Sequence, residues 1–423
     1  MGKLKSHNET KQQLSDWIDE KEELIVRFVQ ELISVPSDNP PGDCADISEF
    51  IERKLKEFGL DNTQLLEVEQ SDAAVRGLAN AQNIVSINKF GKGKNPEIVL
   101  NAYGDTVPPG RGWTHDPYDG DIENGAIYGR GAALSKSDIS VYAFAILALK
   151  TVDEDILSGK VDLAITFDGE SGGFLGPQWL LKHQYIEPDF AITSGFTHSI
   201  LNAHSGCLQM RIEVSGKSAH AASQESAVDA FEAMTAVMQA LYKYRDAISE
   251  KKSSVRGIKS PSFTIGQIKG GTSTNVIPDQ CEITIDRRFI PGEKGEEIEE
   301  EIREIVEEAC KSFSGITLCM ERILIADTFG PTSEHTPLIQ YLGENWKAAY
   351  PDEELKVGGI PLYADARFYS NLGIPTVMYG AGPKTIEMAN GYQADEHVQI
   401  EDIMQATKII ACTLYDLLLV DQK

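Results

Sequence analysis

Two short stretches set ionisable side chains just past apolar runs, where a protein with parallel strands would carry its chemistry. Val161–Phe167 is followed by Asp168-Gly-Glu170-Ser-Gly-Gly173. A glutamate at such a place has its pKa raised by burial and becomes a usable general acid or base. The plainer reading is a solvated loop residue. Ile98–Tyr103 runs into Gly104-Asp105-Thr-Val-Pro108. The Tyr103 phenol could bond a substrate or donate a proton, and Asp105 could accept from a phenol. Lys136 is a conceivable Schiff-base lysine, although no neighbouring feature demands it. A His204–Cys207 dyad is conceivable too, but a buried hinge cysteine is the simpler reading.

These residues need elements to position them. Residues 14–34 and 45–58 have the apolar spacing of amphipathic helices. In the second, Ile47, Phe50, Ile51, Leu55 and Phe58 share a face. The runs at 98–103, 161–167, 190–194 and 376–380 read as buried parallel strands, with helix-like stretches at 138–150 and 399–419. Ligand sites in such sheets lie beyond the C-terminal strand ends. The middle of the chain is different. Leu208–Val214 alternates, a long helix follows (224–247), then strand-like runs at 263–269 and 280–288, an acidic helix at 294–312 and a strand near 316–322. That order is β-α-β-β-α-β, the pattern of a ferredoxin-like α+β domain. The expected architecture is therefore α/β: a mostly parallel-sheet catalytic-type domain (1–207 and 323–423) with an inserted ferredoxin-like lid or dimerisation domain (208–322).

Composition narrows the function classes. With 423 residues, two domains are expected. A formal net charge of −26 argues against a nucleic-acid-binding face, which needs clustered Lys and Arg, and against anionic membrane surfaces. No stretch approaches the roughly 18 apolar residues of a membrane span. The six cysteines are scattered without a C-x-x-C pair, so reduced thiols and a cytoplasmic location are expected. No H-E-x-x-H or other short local zinc motif is present.

Eight segments, taken together and in order, resemble the zinc-dependent aminoacylase and carboxypeptidase family, which includes acetylornithine deacetylase, succinyl-diaminopimelate desuccinylase and glutamate carboxypeptidase. They are YGDTVP (103–108), WTHDPYDG (113–120), IYGRGAALSKSD (127–138), FDGESGG (167–173), GKSAHAAS (216–223), GGTSTNVIP (270–278), DRRFIPGE (286–293) and ADEHV (394–398). The resemblance covers nearly the whole chain. It implies the inserted domain, a homodimer through that domain, and a site in which two zinc ions share five side chains beside a glutamate base.

Carried over residue by residue, the first metal-binding histidine is Tyr103 here, the bridging aspartate is Leu134 and the catalytic glutamate is Gly169. The following glutamate ligand is retained as Glu170. The acidic ligand after the third strand falls at Gly195, and the last histidine at Tyr392. Zinc or manganese is the family default, but with most ligands absent the expectation from these positions is no cofactor. Lys136 and Asp138 then suggest a replacement ion pair. Asp365 and Arg367 suggest a structural pair. The other half of the family's site is intact. The resemblance gives His220 the role of oxyanion donor across the dimer interface, and Asn275 and Arg288 that of carboxylate binders. An arginine fork suits a carboxylate, and an imidazole N–H suits an oxyanion.

The leading functional expectation is hydrolysis of an amide or related C–N bond in a small carboxylate-bearing, amino-acid-like substrate. Glu170, Tyr103, Tyr392 and His220 are the catalytic candidates, Asn275 and Arg288 bind substrate, and Asp105 and Lys136 support. Two alternatives remain open. One is a cofactor-free racemase, isomerase or lyase that uses Glu170 with a tyrosine. The other is a carboxylate-binding protein without catalysis.

Overall fold

The computed structural model describes residues 6–93 and 95–420. Two compact units divide them. The first comprises the described residues up to Asn202, Thr332–Val357 and those from Ala364 onward; the second comprises Ala203–Pro331 and Gly358–Tyr363.

The first unit is built on an eight-stranded sheet. Its central strands are Gly159–Thr166, Glu97–Tyr103, Phe190–Thr193 and Thr376–Met378, in that spatial order, and all neighbours among them are parallel. Antiparallel strands flank this core, with Gln82–Phe90 and Thr63–Glu67 on one side. Ile98, Val99, Leu100, Val161, Leu163 and Ile165 are fully buried, as a sheet covered on both faces requires. The helix Lys136–Leu149 is buried along nearly its whole length, which explains why its sequence shows no polar face. It lies against the C-terminal helix Ile400–Leu418.

The stretch read as one helix over 14–34 is two, His7–Glu20 and Glu22–Ile33. The break falls at Lys21, whose N–H turns back to the carbonyls of Asp19 and Ile18. Both halves keep apolar residues on one face, so apolar spacing alone does not reveal the break.

The second unit has a four-stranded antiparallel sheet in the order Ser262–Gly270, Gln280–Phe289, Gly206–Ser215, Thr317–Ala326. Helices Ala230–Ile248 and Gly295–Cys310 complete the β-α-β-β-α-β sequence. Asp229 caps the first helix by accepting from the N–H groups of Phe231 and Glu232. In the acidic helix, Ile298, Ile302, Val306 and Cys310 recur every four residues and are buried, while most of its glutamates face water. These residues share a core with Leu208, Met210, Ile212 and Val214 of the alternating strand.

Candidate active site

Strand pairing builds the site of the first unit. Tyr103 ends its strand opposite Thr166, the last residue of the neighbouring parallel strand. The chain beyond Thr166 turns through the short helix Gly169–Ser171, so Glu170 and Tyr103 emerge at the same edge. Asp105 fixes this turn. Its fully buried carboxylate accepts from the N–H of Gly169 (3.0 Å), the N–H of Glu170 (3.0 Å) and the Asn39 side chain (2.9 Å). Asp105 is thus a turn anchor, with backbone amides in place of a phenol as its donors. Burial raises its pKa, and these three hydrogen bonds oppose the rise. Arg367 secures the far end of the turn by donating to the Gly172 carbonyl, and it lies 3.9 Å from Asp365.

Tyr392 arrives from the loop after the short helix Ile386–Ala389, and it shares a pocket lining with Glu170. Glu170 and Tyr392 line a small pocket of about 10 Å³ with Thr106, Val107, Arg130, Leu134, Gly391 and Glu396. Burial, together with the negative charge of Asp105, pushes the Glu170 carboxyl up to about 8, while the Tyr392 phenol pulls it back. The phenols of Tyr103 and Tyr392 are pushed well above their ordinary value, first by burial and then by each other's or Glu170's charge. Both therefore remain protonated donors near neutral pH. The backbone of Tyr103 exchanges hydrogen bonds with the Ser135 hydroxyl at 3.0 and 2.7 Å.

Two pocket residues escape the sequence reading. Arg130 and Glu396 form a buried ion pair, and Glu396 also accepts from the N–H of Ala133 (3.1 Å). Their signals were the Gly129-Arg-Gly131 turn and the ADEHV segment, neither of which reveals that the two pair with each other.

Lys136 stands apart from the pocket lining. Its ammonium donates to the carbonyls of Leu32 (2.9 Å) and Val35 (2.8 Å), and burial lowers its pKa to about 7. The expected Lys136–Asp138 ion pair does not form. Residues two apart in a helix point to opposite faces, and Asp138 instead accepts from the N–H of Ala381 (2.7 Å) and Gly195 (3.3 Å).

In the second unit, His220 and Asn275 come together. A two-stranded ribbon pairs His220 with Val276, and the N–H of Ala221 donates to the Asn275 carbonyl. Both side chains are exposed. The Ala222 N–H donates to His220 Nδ1 (3.2 Å), which leaves the proton of the neutral ring on Nε2. Arg288 lies on a different strand, half-buried. Its Nε and Nη2 pair with Asp286 at 2.8 and 3.2 Å, and its guanidinium sits over the Tyr363 ring.

Comparison with known proteins places this arrangement. Residues 202–314 match the peptidase dimerisation domain of the M20 family. The chain is 23% identical over 434 residues to an N-formyl-4-amino-5-aminomethyl-2-methylpyrimidine deformylase from Halalkalibacterium halodurans, covering 94% of this chain and 95% of the relative. It is 32% identical over 198 residues to an acetylornithine deacetylase from Proteus mirabilis, covering 46% of this chain and 50% of the relative. The chain is thus similar to M20 peptidases, in its dimerisation domain and in the deacetylases it resembles. A solved M20 peptidase from Bacillus subtilis shares the fold, with a TM-score of 0.65 at 14% identity over 94% of this chain and 99% of that one.

That relative is described as a dinuclear metal-binding peptidase. It overturns the expectation that this chain needs no cofactor: the proteins it resembles point to a metal. The side chains present do not fit the family's two-ion arrangement, which needs a bridging anion and several nitrogen or oxygen donors. Leu134 contributes an apolar wall to the pocket. A Cβ on Gly169 would meet the Tyr103 ring at 2.9 Å, so that ring occupies the space of a side chain at 169. A Cβ on Gly195 would meet the Tyr379 nitrogen at 2.4 Å and the Met378 carbonyl carbon at 2.5 Å, so this glycine has no room for a ligand. Among the described residues, no group of three or more His, Cys, Asp or Glu side chains is placed to hold a metal ion.

Three further observations bear on the sequence expectations. No helix among the described residues is long and apolar enough to cross a membrane. None of the six cysteines is in a disulfide, and Cys319 alone is exposed. The dimerisation-domain match suggests self-association.

Proposed function

We propose that this protein hydrolyses the amide bond of a small, carboxylate-bearing, amino-acid-like substrate, with Glu170 as the proton-handling group. What supports the reading is the placement of Glu170 and Tyr392 together on the lining of one pocket, with burial and the Asp105 charge raising the Glu170 carboxyl. In its ionised form Glu170 takes a proton from water as the oxygen attacks the substrate carbonyl. The proton passes to the departing nitrogen, the C–N bond breaks, and an acid and an amine are released. Tyr392, which stays protonated, steadies the carboxylate between the two transfers. Tyr103 backs the Glu170 turn with its ring. His220, through its Nε2 proton, is assigned to the developing oxyanion. Asn275 and Arg288 are assigned to the substrate carboxylate. The side-on pairing of Arg288 with Asp286 uses Nε and Nη2 and leaves Nη1 for a second anion. A homodimer through the 208–322 domain and a cytoplasmic setting belong to the same reading.

The deformylase and deacetylase names of the relatives support amide hydrolysis. The racemase or lyase alternative and the binding-only alternative have no counterpart among them. The test is a panel of N-formyl, N-acetyl and N-succinyl amino acids, assayed for amine release with and without added zinc or manganese. Glu170→Gln should lower turnover on any accepted substrate by roughly 100- to 10,000-fold, the range for loss of a general base. A Glu170→Gln protein with parental turnover would overturn the assignment.

A further inference from the structure

The loop that delivers Tyr392 is backbone-strained and held from outside the pocket. Three of its non-glycine residues have left-handed backbone: Asn390 (φ 50°), Tyr392 (φ 65°) and Asp395 (φ 57°). Asparagine and aspartate tolerate this region because their short polar side chains bond locally, but a bulky tyrosine there is an outlier. Such outliers persist only where the surroundings over-determine them, and they cluster at functional sites. Two groups of contacts hold this one. At the pocket, Tyr392 shares one lining with Glu170 and Glu396. Outside it, the Asp395 carboxylate accepts from the Thr114 N–H (2.8 Å), the Thr114 hydroxyl (2.9 Å) and the His115 N–H (3.2 Å). The Asn390 side chain donates to the Asp395 carbonyl (3.2 Å), and the Gly391 N–H donates to the Ile386 carbonyl (2.9 Å). Asp395 is absent from the residues lining the pocket.

We propose that Asp395 is a positioning residue: by tying the 390–396 loop to residues 114–115, it holds Tyr392 in its left-handed conformation with the phenol on Glu170. This rests on the hydrolytic role given to Tyr392 above. A serine or threonine at 114 is not required for the backbone part of the clamp, because two of its three donors are N–H groups. The carboxylate acceptor is the part that cannot be dropped.

Three substitutions separate clamp from strain. Asp395→Asn keeps an acceptor and tolerates the backbone. Asp395→Gly tolerates the backbone and drops the clamp. Asp395→Ala drops both. With tyrosines labelled at 13Cζ, the Tyr392 resonance is identified by its loss in Tyr392→Phe. Asp395→Gly and Asp395→Ala should shift or broaden that resonance, and Asp395→Asn should leave it in place. On an accepted substrate, Asp395→Gly should lower kcat by roughly 10- to 100-fold, the scale of a misplaced catalytic group, with KM little changed. In a Tyr392→Phe background the same change should lower kcat no further. An unmoved resonance in Asp395→Gly, or losses that multiply in the double variant, would overturn the proposal. If Tyr392→Phe alone keeps full turnover, it is the hydrolytic role of Tyr392 that fails, and the resonance still decides whether Asp395 holds the loop.

Discussion

Replacing Tyr392 by phenylalanine isolates one polar contact at the centre of the proposed site. The ring stays, and the phenol that favours the ionised Glu170 carboxyl is lost. In the parent, burial and the Asp105 charge push Glu170 up to about 8, and the phenol opposes them. Without it the carboxyl rises further. A hydrogen bond to a charged group contributes about 1.5–3 kcal/mol, and one pKa unit corresponds to about 1.4 kcal/mol, so the full effect is roughly one to two units. Tyr392 as a residue is 49% exposed although its phenol lies against Glu170, and solvent screening places the effect at the lower end, about one unit. Glu170 acts as a base only when ionised, so kcat/KM should rise with pH through about 8 in the parent and about one unit higher in Tyr392→Phe. At neutral pH the variant should be about tenfold slower, with the difference closing at high pH. The assay is kcat/KM against pH for one accepted N-acyl amino acid. A limb that stays in place, or moves to lower pH, would show that the phenol does not stabilise the Glu170 carboxylate.

Two other perturbations test separate parts of the account. Asp138 is fully buried, and burial raises its pKa from 3.8 to about 7. A carboxyl raised in the folded state contributes stability that is complete below its unfolded pKa and is lost as pH rises through the folded value. The Tm of Asp138→Asn relative to the parent should therefore improve from about pH 4 to about pH 7 and level off above about pH 8; a constant difference would mean Asp138 does not titrate in that window. At the pocket wall, Leu134→Asp adds an oxygen donor at the position of the family's bridging aspartate. Elemental analysis should find more zinc retained by that variant than by the parent, and equal content would show that a carboxylate at 134 meets no further donors.

How much of this was legible depends on how local the signal is. The inserted domain could be read because Leu208–Val214 alternates strictly and the acidic helix shows a four-residue apolar repeat, both properties of single segments. The parallel core could be read because its strands are continuous apolar runs. The division of residues 14–34 at Lys21 could not, since both helices carry the same apolar face. At the site, Glu170 could be named from its place after an apolar run and Tyr392 only from the family resemblance, and their meeting in one pocket joins segments far apart in sequence. The Lys136–Asp138 pair was a misreading that helix geometry already forbids. Gly195 was assigned by position alone, and only the close approach of Met378 and Tyr379 shows that no side chain fits there. Arg130 and Glu396 went unnoticed because a buried ion pair between distant turns leaves no pattern in either turn.

The central claim is that Glu170 handles the proton in amide hydrolysis. Its most direct test is amine release by the parent and by Glu170→Gln on the same N-acyl amino acid, at a pH where the parent carboxyl is ionised and under the same metal conditions. The account predicts turnover in the parent and a loss of at least roughly 100-fold in the variant with KM little changed. Turnover in Glu170→Gln equal to that of the parent would contradict it.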